Sequence, residues 1–330
     1  MTPMSGAAMP PDGNYDADIV ILALERIDET IAAVASACAQ TNVSFHIFVL
    51  DQGSCSANLA RLAIAVQDNP KVSLFVSASN LGVAGGRNLI SSLGHGRVLV
   101  ALDSDAEFAD TLTVARMVAA LDAEPRLGAI GCRIIRYDDG RDDDSSWGYP
   151  TALLSSAGTC FDTVTFVGAG HAIRRDTWQQ AGGYDPRLFF CWEEYDFCLR
   201  AIARGWQIRY RGDIVIRHKL CGEQRVGWGA NRWFYHVRNR LYVERKLGRS
   251  WMSLIPRMAA YLLKGTRNDL RGQTIRAIQA AVLMVPDLTH SLPPTGQSYC
   301  IRNDTAHRGS VSRRLLQEVF SEIVVVPAGR

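Results

Sequence analysis

The chain has 330 residues, the length of one large α/β domain or of two modest domains. With 47% hydrophobic and 21% charged residues, its composition is that of a soluble globular protein, which excludes disordered, collagen-like and coiled-coil chains. Its formal net charge of +3 combines −11 over residues 1–200 with +14 over residues 201–330. The acidic part suits cations, whereas the basic part suits phosphates or an anionic membrane.

The sequence carries no signal for export or membrane insertion. It has no run of 18 apolar residues, and its N-terminus lacks the basic start and apolar core of a secretory signal. The eight cysteines form no CxxC pair, so a zinc ribbon is unsupported and reduced thiols are expected. We therefore expect a cytoplasmic protein, and the basic C-terminal part adds the hypothesis of peripheral contact with the inner face of the cytoplasmic membrane.

Apolar runs alternate with helical patterns after residues 1–16, a Pro- and Gly-rich segment that we expect to be disordered. Buried runs of five to seven residues, spaced by helices, indicate a parallel sheet with βαβ crossovers. The predicted strands are Asp18–Leu24, Phe45–Leu50, Val72–Val76 and Val98–Leu102, and the predicted helices are Asp28–Gln40, Asn58–Val66 and a short one that opens within Asn80–Arg87.

The pattern changes in the second half of the chain. Asp138–Asp144 predicts a solvated acidic loop, and Thr151–His218 mixes short strand-like runs with two helices, so this part should not be purely parallel. After Gly229 the pattern is helical and basic, with the third of three helices around Leu270–Val285, and the last forty residues are weakly patterned. We predict a Rossmann-like α/β domain at 17–220 and a basic helical extension at 221–330.

Polar residues follow the predicted strands, at the sheet edge where open α/β folds bind ligands. Together they would offer carboxylates, a flexible glycine loop and an arginine to a nucleotide with a metal-bound diphosphate. The glycine loop has neither the GxGxxG spacing nor the position after the first strand that a dinucleotide-binding dehydrogenase requires. The candidates are Glu25, Asp51, Asn80, Gly82, Arg87, Asp103 and Asp105.

Asp103 and Asp105 directly follow a buried strand. Carboxylates at i and i+2 of an extended chain face the same way, about 6–7 Å apart. Both could address one Mg²⁺ or Mn²⁺ ion, or one could bind the metal and the other a ribose hydroxyl. The structural alternative is a turn or a helix cap, for which Asp is also favoured.

Two glutamates, Glu193 and Glu194, open an amphipathic helix directly after the aromatic Trp192. A partly desolvated carboxylate of this kind suits a general base, although acids in a first helical turn also stabilise the helix dipole.

Two histidines admit two interpretations each. His218 ends a strand-like run and is either a metal ligand or a core histidine. His171 follows Gly168 and Gly170, whose missing side chains favour the close approach of a substrate, but it too could be a core residue.

Taken in chain order, these residues resemble the inverting glycosyltransferase family 2 with its GT-A fold, and in particular bacterial rhamnosyl- and galactofuranosyl-type polysaccharide transferases. The resemblance covers roughly residues 17–240. The family's usual carboxylate pair is Glu-Asp or Asp-Asp, so Glu193-Glu194 departs from it and lengthens the reach of the base. The matching motifs are Asp51, NLGVAGGRN at 80–88, DSD at 103–105, FVGAGHAIRR at 166–175, GGYDPRLFF at 182–190, WEEYDFCLR at 192–200, GW at 205–206, and His218.

The resemblance implies a role for each candidate. Asp105 and His218, with Asp103, would hold Mn²⁺ or Mg²⁺. Glu194 would be the base, oriented by Glu193 or Trp192. The nucleotide-sugar donor would contact Glu25, Asp51, Asn80, Gly82, Arg87 and Asp103, and the sugar or acceptor would contact Gly168, Gly170, His171 and Trp192.

The implied activity is transfer of a sugar, with UDP or dTDP as the expected nucleotide, to a glycan or lipid-linked acceptor of the cell surface. One alternative is a binding or scaffold protein that has lost its active site, which the intact candidate residues disfavour. Another is a sugar-phosphate nucleotidyltransferase, whose glycine loop follows strand one, where this chain has Leu24-Glu25-Arg26. The basic, aromatic run Arg232–Lys246 is either a packed helix or a surface for anionic lipid, and the acidic first half disfavours nucleic acid.

Overall fold

A computed structural model describes residues 2–3, 13–219, 230–286 and 291–320 of the chain. One mixed sheet forms its centre, covered by helices on both faces. The strands are β1 (Thr2–Pro3), β2 (Ala17–Ala23), β3 (Phe45–Asp51), β4 (Val72–Val76), β5 (Val98–Asp103), β6 (Ala106–Phe108), β7 (Leu127–Arg136), β8 (Cys160–Thr163), β9 (Gly170–Arg174) and β10 (Gln207–His218). The helices are α1 (Ile27–Cys38), α2 (Ser56–Val66), α3 (Gly82–Ser91), α4 (Thr113–Ala123), α5 (Arg175–Ala181), α6 (Glu193–Ala203), α7 (Ala230–Lys246), α8 (Trp251–Arg267), α9 (Arg271–Leu283), α10 (Pro294–Asn303) and α11 (Val311–Phe320).

The first half of the sheet confirms the predicted parallel arrangement. Strands β4, β3, β2 and β5 lie side by side in parallel, with β2 at the centre. In β2, Ile19 and Ile21 pack with α1, α2 and α4, whereas Val20 points to the other face and contacts the cluster of Phe48 and Ile90. Burial on both faces explains why these strands are continuous apolar runs rather than alternating ones.

The expected disorder of residues 1–16 is wrong where the chain is described. Thr2 and Pro3 pair antiparallel with Val76 and Phe75 at the edge of the sheet. Tyr15 is buried and its hydroxyl donates to Asp18. Residues 1 and 4–12 lie outside the described residues.

The second half of the sheet is mixed, as predicted. Strand β9 inserts between β5 and β7 and is antiparallel to both. The long strand β10 runs parallel to β7 but antiparallel to β6 and β8. Its pairing with β6 sets His218 opposite Ala106, next to Asp105. This register determines where the metal-binding candidates meet.

Helices α7, α8 and α9 agree with the three predicted basic helices and pack around the buried Trp233. Helix α7 is tied to the α/β domain by Asn239, whose side-chain amide donates to the carbonyls of Leu188, Phe190 and Cys191 at 2.7–2.9 Å. Two further helices, α10 and α11, occur where the sequence is weakly patterned. No described helix is both long enough and apolar enough to cross a bilayer.

Candidate active site

Two carboxylates flank the carboxyl end of the central strand β2. The strand register places Ala23 beside Asp51 of β3 and Leu22 beside Asp103 of β5. The chain order changes direction at this strand, with β3 on one side and β5 on the other, which is where open α/β sheets form their ligand crevice. The sheet thus brings together candidates that are 52 residues apart in sequence.

Arg87 connects this edge to the glutamate pair. Its guanidinium lies 2.7 Å from Asp103 Oδ1 and 3.2 Å from Glu194 Oε1, and it also donates to the carbonyl of Gly168 at 2.8 Å. The side chain is only 4% exposed. The sequence predicts a nucleotide contact for Arg87. In the structure its buried guanidinium is engaged by two carboxylates, which it holds in position.

A second polar group forms around Asp105. His218 Nε2 lies 3.5 Å from Asp105 Oδ1, and its Nδ1 lies 2.9 Å from Asp143 Oδ2. Arg26 Nη1 contacts the other carboxylate oxygen of Asp105 at 2.5 Å. Burial opposes the charged form of the imidazole, but hydrogen bonds to Asp105 and Asp143 raise the pKa of His218 to about 9.

Asp105 and His218 offer an oxygen and a nitrogen of the kinds that bind a divalent ion shared with substrate. An ion would displace the Nε2 proton of His218, while Nδ1–H donated to Asp143 would keep the usual orientation of a metal-binding histidine. Within the described ranges no three His, Cys, Asp or Glu side chains converge as a complete metal cage. Two protein ligands suffice for Mg²⁺ or Mn²⁺ when substrate phosphates and water supply the rest.

The two glutamates differ in their surroundings. Glu193 is buried, and one of its carboxylate oxygens has no hydrogen-bond partner in the described part of the chain. Burial and the neighbouring Glu194 raise the pKa of Glu193 well above its usual range. Burial also raises the pKa of Glu194, but Arg87 opposes this. Of the two carboxylates, Glu194 is the one whose negative charge the contact with Arg87 favours.

Among the nucleotide candidates, Asp51 keeps an unsatisfied acceptor. One oxygen accepts from the amides of Gly53 and Ser54 at 3.1 and 3.0 Å. The other, Oδ2, is buried and has no hydrogen-bond partner among the residues described. Glu25 lies close by, because it accepts from the amide of Cys55 at 2.8 Å.

The glycine loop is less available to a ligand than the sequence indicates, because Gly82 is already engaged within the protein. Asn80 Oδ1 accepts from the amide of Gly82 at 2.8 Å, so this amide is already bonded within the chain. Gly82 has φ +71° and lies against the backbone of Phe189, where a Cβ would come within 2.3 Å of the carbonyl oxygen. Close packing therefore explains Gly82 without a ligand.

Two of the proposed sugar or acceptor contacts are corrected. His171 is buried, with Nε2 2.9 Å from the Tyr184 hydroxyl and its ring stacked on Phe166, so it is a core histidine. Gly170 is required by packing, because a Cβ there would lie 2.5 Å from Ile216.

The other two contacts adjoin the glutamate pair. A Cβ on Gly168 would lie 2.6 Å from Glu194 Oε1. Trp192 is partly exposed and lines a cavity together with Glu194.

Sequence reasoning missed Arg26 and Asp143. Asp143 lies in the acidic segment that predicted a solvated loop, yet it is 3% exposed and its partner is 75 residues away. Arg26 reaches Asp105 because the chain turns sharply after β2, where Glu25 and Arg26 have φ values of 53° and 41°. The one local sign of this turn is a pair of consecutive non-glycine residues with positive φ. The backbone shows it, but the sequence does not.

Comparisons with known proteins agree with this geometry. Residues 18–180 match the family model described as glycosyl transferase family 2. An uncharacterised protein of Haemophilus influenzae is 26% identical over 167 residues, which cover 50% of this chain and 90% of that protein. The succinoglycan biosynthesis protein ExoO of Rhizobium meliloti is 31% identical over 114 residues, which cover 34% of this chain and 31% of ExoO.

Two solved structures share the fold at 14% identity. The mannosyltransferase PcManGT from Pyrobaculum calidifontis, solved with GDP-Man and Mn²⁺, has a TM-score of 0.56 over 96% of this chain and 91% of its own. GalNAc-T7, solved with UDP, GalNAc and Mn²⁺, has a TM-score of 0.58 over 86% of this chain and 59% of its own. The fold is therefore GT-A. Together with this fold, the match of residues 18–180 to the family model of glycosyl transferase family 2 identifies the protein as a glycosyltransferase.

Replacing Arg87 by Met should destabilise the protein by about 3 kcal/mol, because it leaves the carboxylates of Asp103 and Glu194 without their shared cation. Urea unfolding measures the loss. The matched control is Arg61→Met, which breaks the exposed pair with Asp28 and should cost about 0–1 kcal/mol. Equal losses of unfolding free energy in the two variants would contradict the role of Arg87 in positioning Asp103 and Glu194.

Proposed function

We propose that this protein transfers a sugar from a nucleotide-diphosphate sugar to a hydroxyl group of a glycan or lipid-linked acceptor, with inversion at the anomeric carbon. One observation carries the proposal: Arg87 holds Glu194 beside Asp103, and Asp103 is two residues from the pair of Asp105 and His218. A candidate base and a candidate cation site thus adjoin each other. The polysaccharide context is supported by the likeness to a succinoglycan biosynthesis protein.

In the proposed reaction, Glu194 accepts the proton of the acceptor hydroxyl as its oxygen attacks the anomeric carbon. A raised pKa makes its carboxylate a better base near neutral pH, and Arg87 keeps it ionised and in place. Burial and the charge of Glu194 raise the pKa of Glu193, which disfavours a second negative charge beside the base. An ion held by Asp105 and His218 would stabilise the charge that grows on the leaving diphosphate.

Asp51 supports a donor whose base presents an N–H group. Its Oδ2 is a buried acceptor without a partner in the described ranges, and a buried acceptor gains most from a donor that satisfies it. Uracil and thymine each present a ring N–H that this oxygen can accept, as guanine also does, so Asp51 is compatible with the expected UDP or dTDP sugars. Glu25, which is exposed on the neighbouring turn, would contact the nucleoside from the solvent side of the site.

The domain division is part of the same proposal. Residues 17–220 would form the catalytic domain, and residues 221–330 would complete the acceptor side. The contacts of Asn239 support the role of the extension on the acceptor side, because they fix α7 to the segment that precedes the glutamate pair. Residues 220–229, at the predicted boundary, lie outside the described residues.

Replacing Glu194 by Gln should lower turnover at least about a hundredfold, because it removes the general base while keeping the shape of the side chain. The measurement is release of nucleoside diphosphate from the nucleotide sugar with Mn²⁺. Glu193→Gln is the matched control and should stay within a few-fold of wild type, since Gln is isosteric with a protonated Glu. A larger loss in Glu193→Gln than in Glu194→Gln would move the base to Glu193. No release by the wild-type protein would favour the scaffold alternative.

Replacing Asp105 by Ala should abolish metal-dependent binding of the nucleotide, because it removes one of two proposed protein ligands. A thermal-shift screen of nucleoside diphosphates with and without Mn²⁺ first selects the nucleotide, since ligands of the folded state raise its melting point. Calorimetric titration of that nucleotide then compares Asp105→Ala with Asp110→Ala, which removes an exposed aspartate whose ion-pair partner is Arg116 at the surface. Unchanged titration of Asp105→Ala would reject the metal assignment.

Peripheral membrane contact is proposed on the exposed face of α8. Met252, Ile255 and Leu263 are 75%, 49% and 53% exposed, and the basic residues Arg249 and Arg267 flank the helix. An apolar face between cations is typical of a helix that lies on an anionic bilayer.

The double variant Met252→Ser with Leu263→Ser should weaken binding to vesicles that contain phosphatidylglycerol about tenfold, because less apolar area enters the bilayer. Co-sedimentation measures the effect, with phosphatidylcholine vesicles for comparison. Ile64→Ser, which changes a 65% exposed residue on α2, is the control. Equal sedimentation of the double variant and the control would reject this surface.

A further inference from the structure

A cavity of about 1000 Å³ separates the glutamate pair from the C-terminal helices. Trp192 and Glu194 line it on the side of the α/β domain. Five arginines line it on the side of the extension: Arg240 of α7, Arg249, Arg257 of α8, Arg308, and Arg314 of α11. The cavity is large enough for a disaccharide-sized ligand with a charged group. None of the roles given above uses Arg257, Arg308 or Arg314.

Among the described residues, the carboxylates on this side of the cavity pair closely with Arg240, Arg249 and Arg308, but not with Arg257 or Arg314. Arg308 pairs with Asp304 at 2.8 Å. The nearest ion-pair partner of Arg257 is Glu244 at 4.0 Å, and that carboxylate is already bound by Arg240 at 2.6 Å and by a further arginine at 2.8 Å. Arg257 therefore has a distant share of Glu244 and the longer-range field of Glu318, without a close ion pair among the described residues.

Arg314 has the least satisfied charge. In the described part of the chain it forms no ion pair, and its buried Nε–H has no hydrogen-bond acceptor. Burial lowers the pKa of Arg314, and the neighbouring cations Arg257 and Arg308 lower it further. A buried N–H group without an acceptor, on a cation that lies near other cations, costs free energy unless an anion binds to it. The observations point to a ligand that brings negative charge.

We propose that Arg257, Arg308 and Arg314 bind a phosphate or diphosphate group of the acceptor, while the acceptor's sugar hydroxyl reaches Glu194 through the same cavity. Guanidinium groups bind phosphate oxygens in pairs, and a dianion with several oxygens can engage more than one arginine. The inference rests on the proposed function, because it names the class of acceptor for that reaction. The phosphate could belong to a lipid-linked diphosphate or to a soluble sugar phosphate.

Calorimetric titration of the full chain with farnesyl diphosphate in EDTA tests the inference. Without metal the proposed donor site lacks its cation, so binding reports on the arginines. The wild type should bind farnesyl diphosphate but not farnesol. Arg314→Gln should weaken binding about tenfold or more, the loss expected for a hydrogen bond between charged groups. Arg313→Gln, an exposed neighbour on the same helix, should bind as the wild type does.

Further arms separate the phosphate sources and the two proposals. Equal affinity for inorganic pyrophosphate would support a soluble acceptor, and tighter binding of farnesyl diphosphate would support a lipid-linked one. Wild-type affinity in both Arg314→Gln and Arg257→Gln would overturn the inference, as would no binding of either probe by a protein that binds nucleotide with Mn²⁺. Binding of farnesyl diphosphate without any Mn²⁺-dependent nucleotide binding would instead overturn the proposed function.

Discussion

The geometry of the site depends on the buried ion pairs of Arg87. One guanidinium holds a carboxylate at the end of β5, a carboxylate at the start of α6 and a carbonyl of the segment before β9. These three segments are far apart in sequence and meet only in the folded chain. Because a buried charge is costly when its partner is removed, each contact keeps the other two in place. The carboxylates are thereby fixed before any substrate binds, which is the condition for effective positioning.

The antiparallel pairings in the second half of the sheet place site residues next to one another that a purely parallel sheet would keep apart. Inserting β9 antiparallel to β5 brings Gly168 to the edge where Asp103 lies, since the carbonyl of Ala169 accepts from the amide of Asp103. The antiparallel pairing of β6 with β10 then carries His218 to Asp105. A slip of one residue would turn His218 to the other face of the sheet. Register, rather than local sequence, therefore decides which residues can share an ion.

Much of the fold and part of the site could be predicted from the sequence. Buried parallel strands are recognisable as apolar runs, so Asp51, Asp103 and Asp105 could be placed at the sheet edge from their positions alone. Contacts across the chain could not: Asp143 is engaged by a histidine 75 residues away, and Arg87 reaches a carboxylate 107 residues away. Helices α10 and α11, ten residues each, were missed because they are short and largely exposed. The apolar residues of α11 do recur at helical spacing, and this was a usable signal.

The opposite charges of the two parts of the chain are explained if each part binds a different substrate at the cavity. In the proposed reaction, two anionic substrates must approach a site whose base is itself a carboxylate. The acidic part would meet the donor through a cation held by Asp105 and His218, and the basic extension would meet the acceptor through arginines. Glu194 lies on the boundary, so its charge is balanced by Arg87 rather than by either substrate. Separating the two anions in this way keeps the diphosphate and the acceptor charge from repelling each other, and leaves the base free to take a proton.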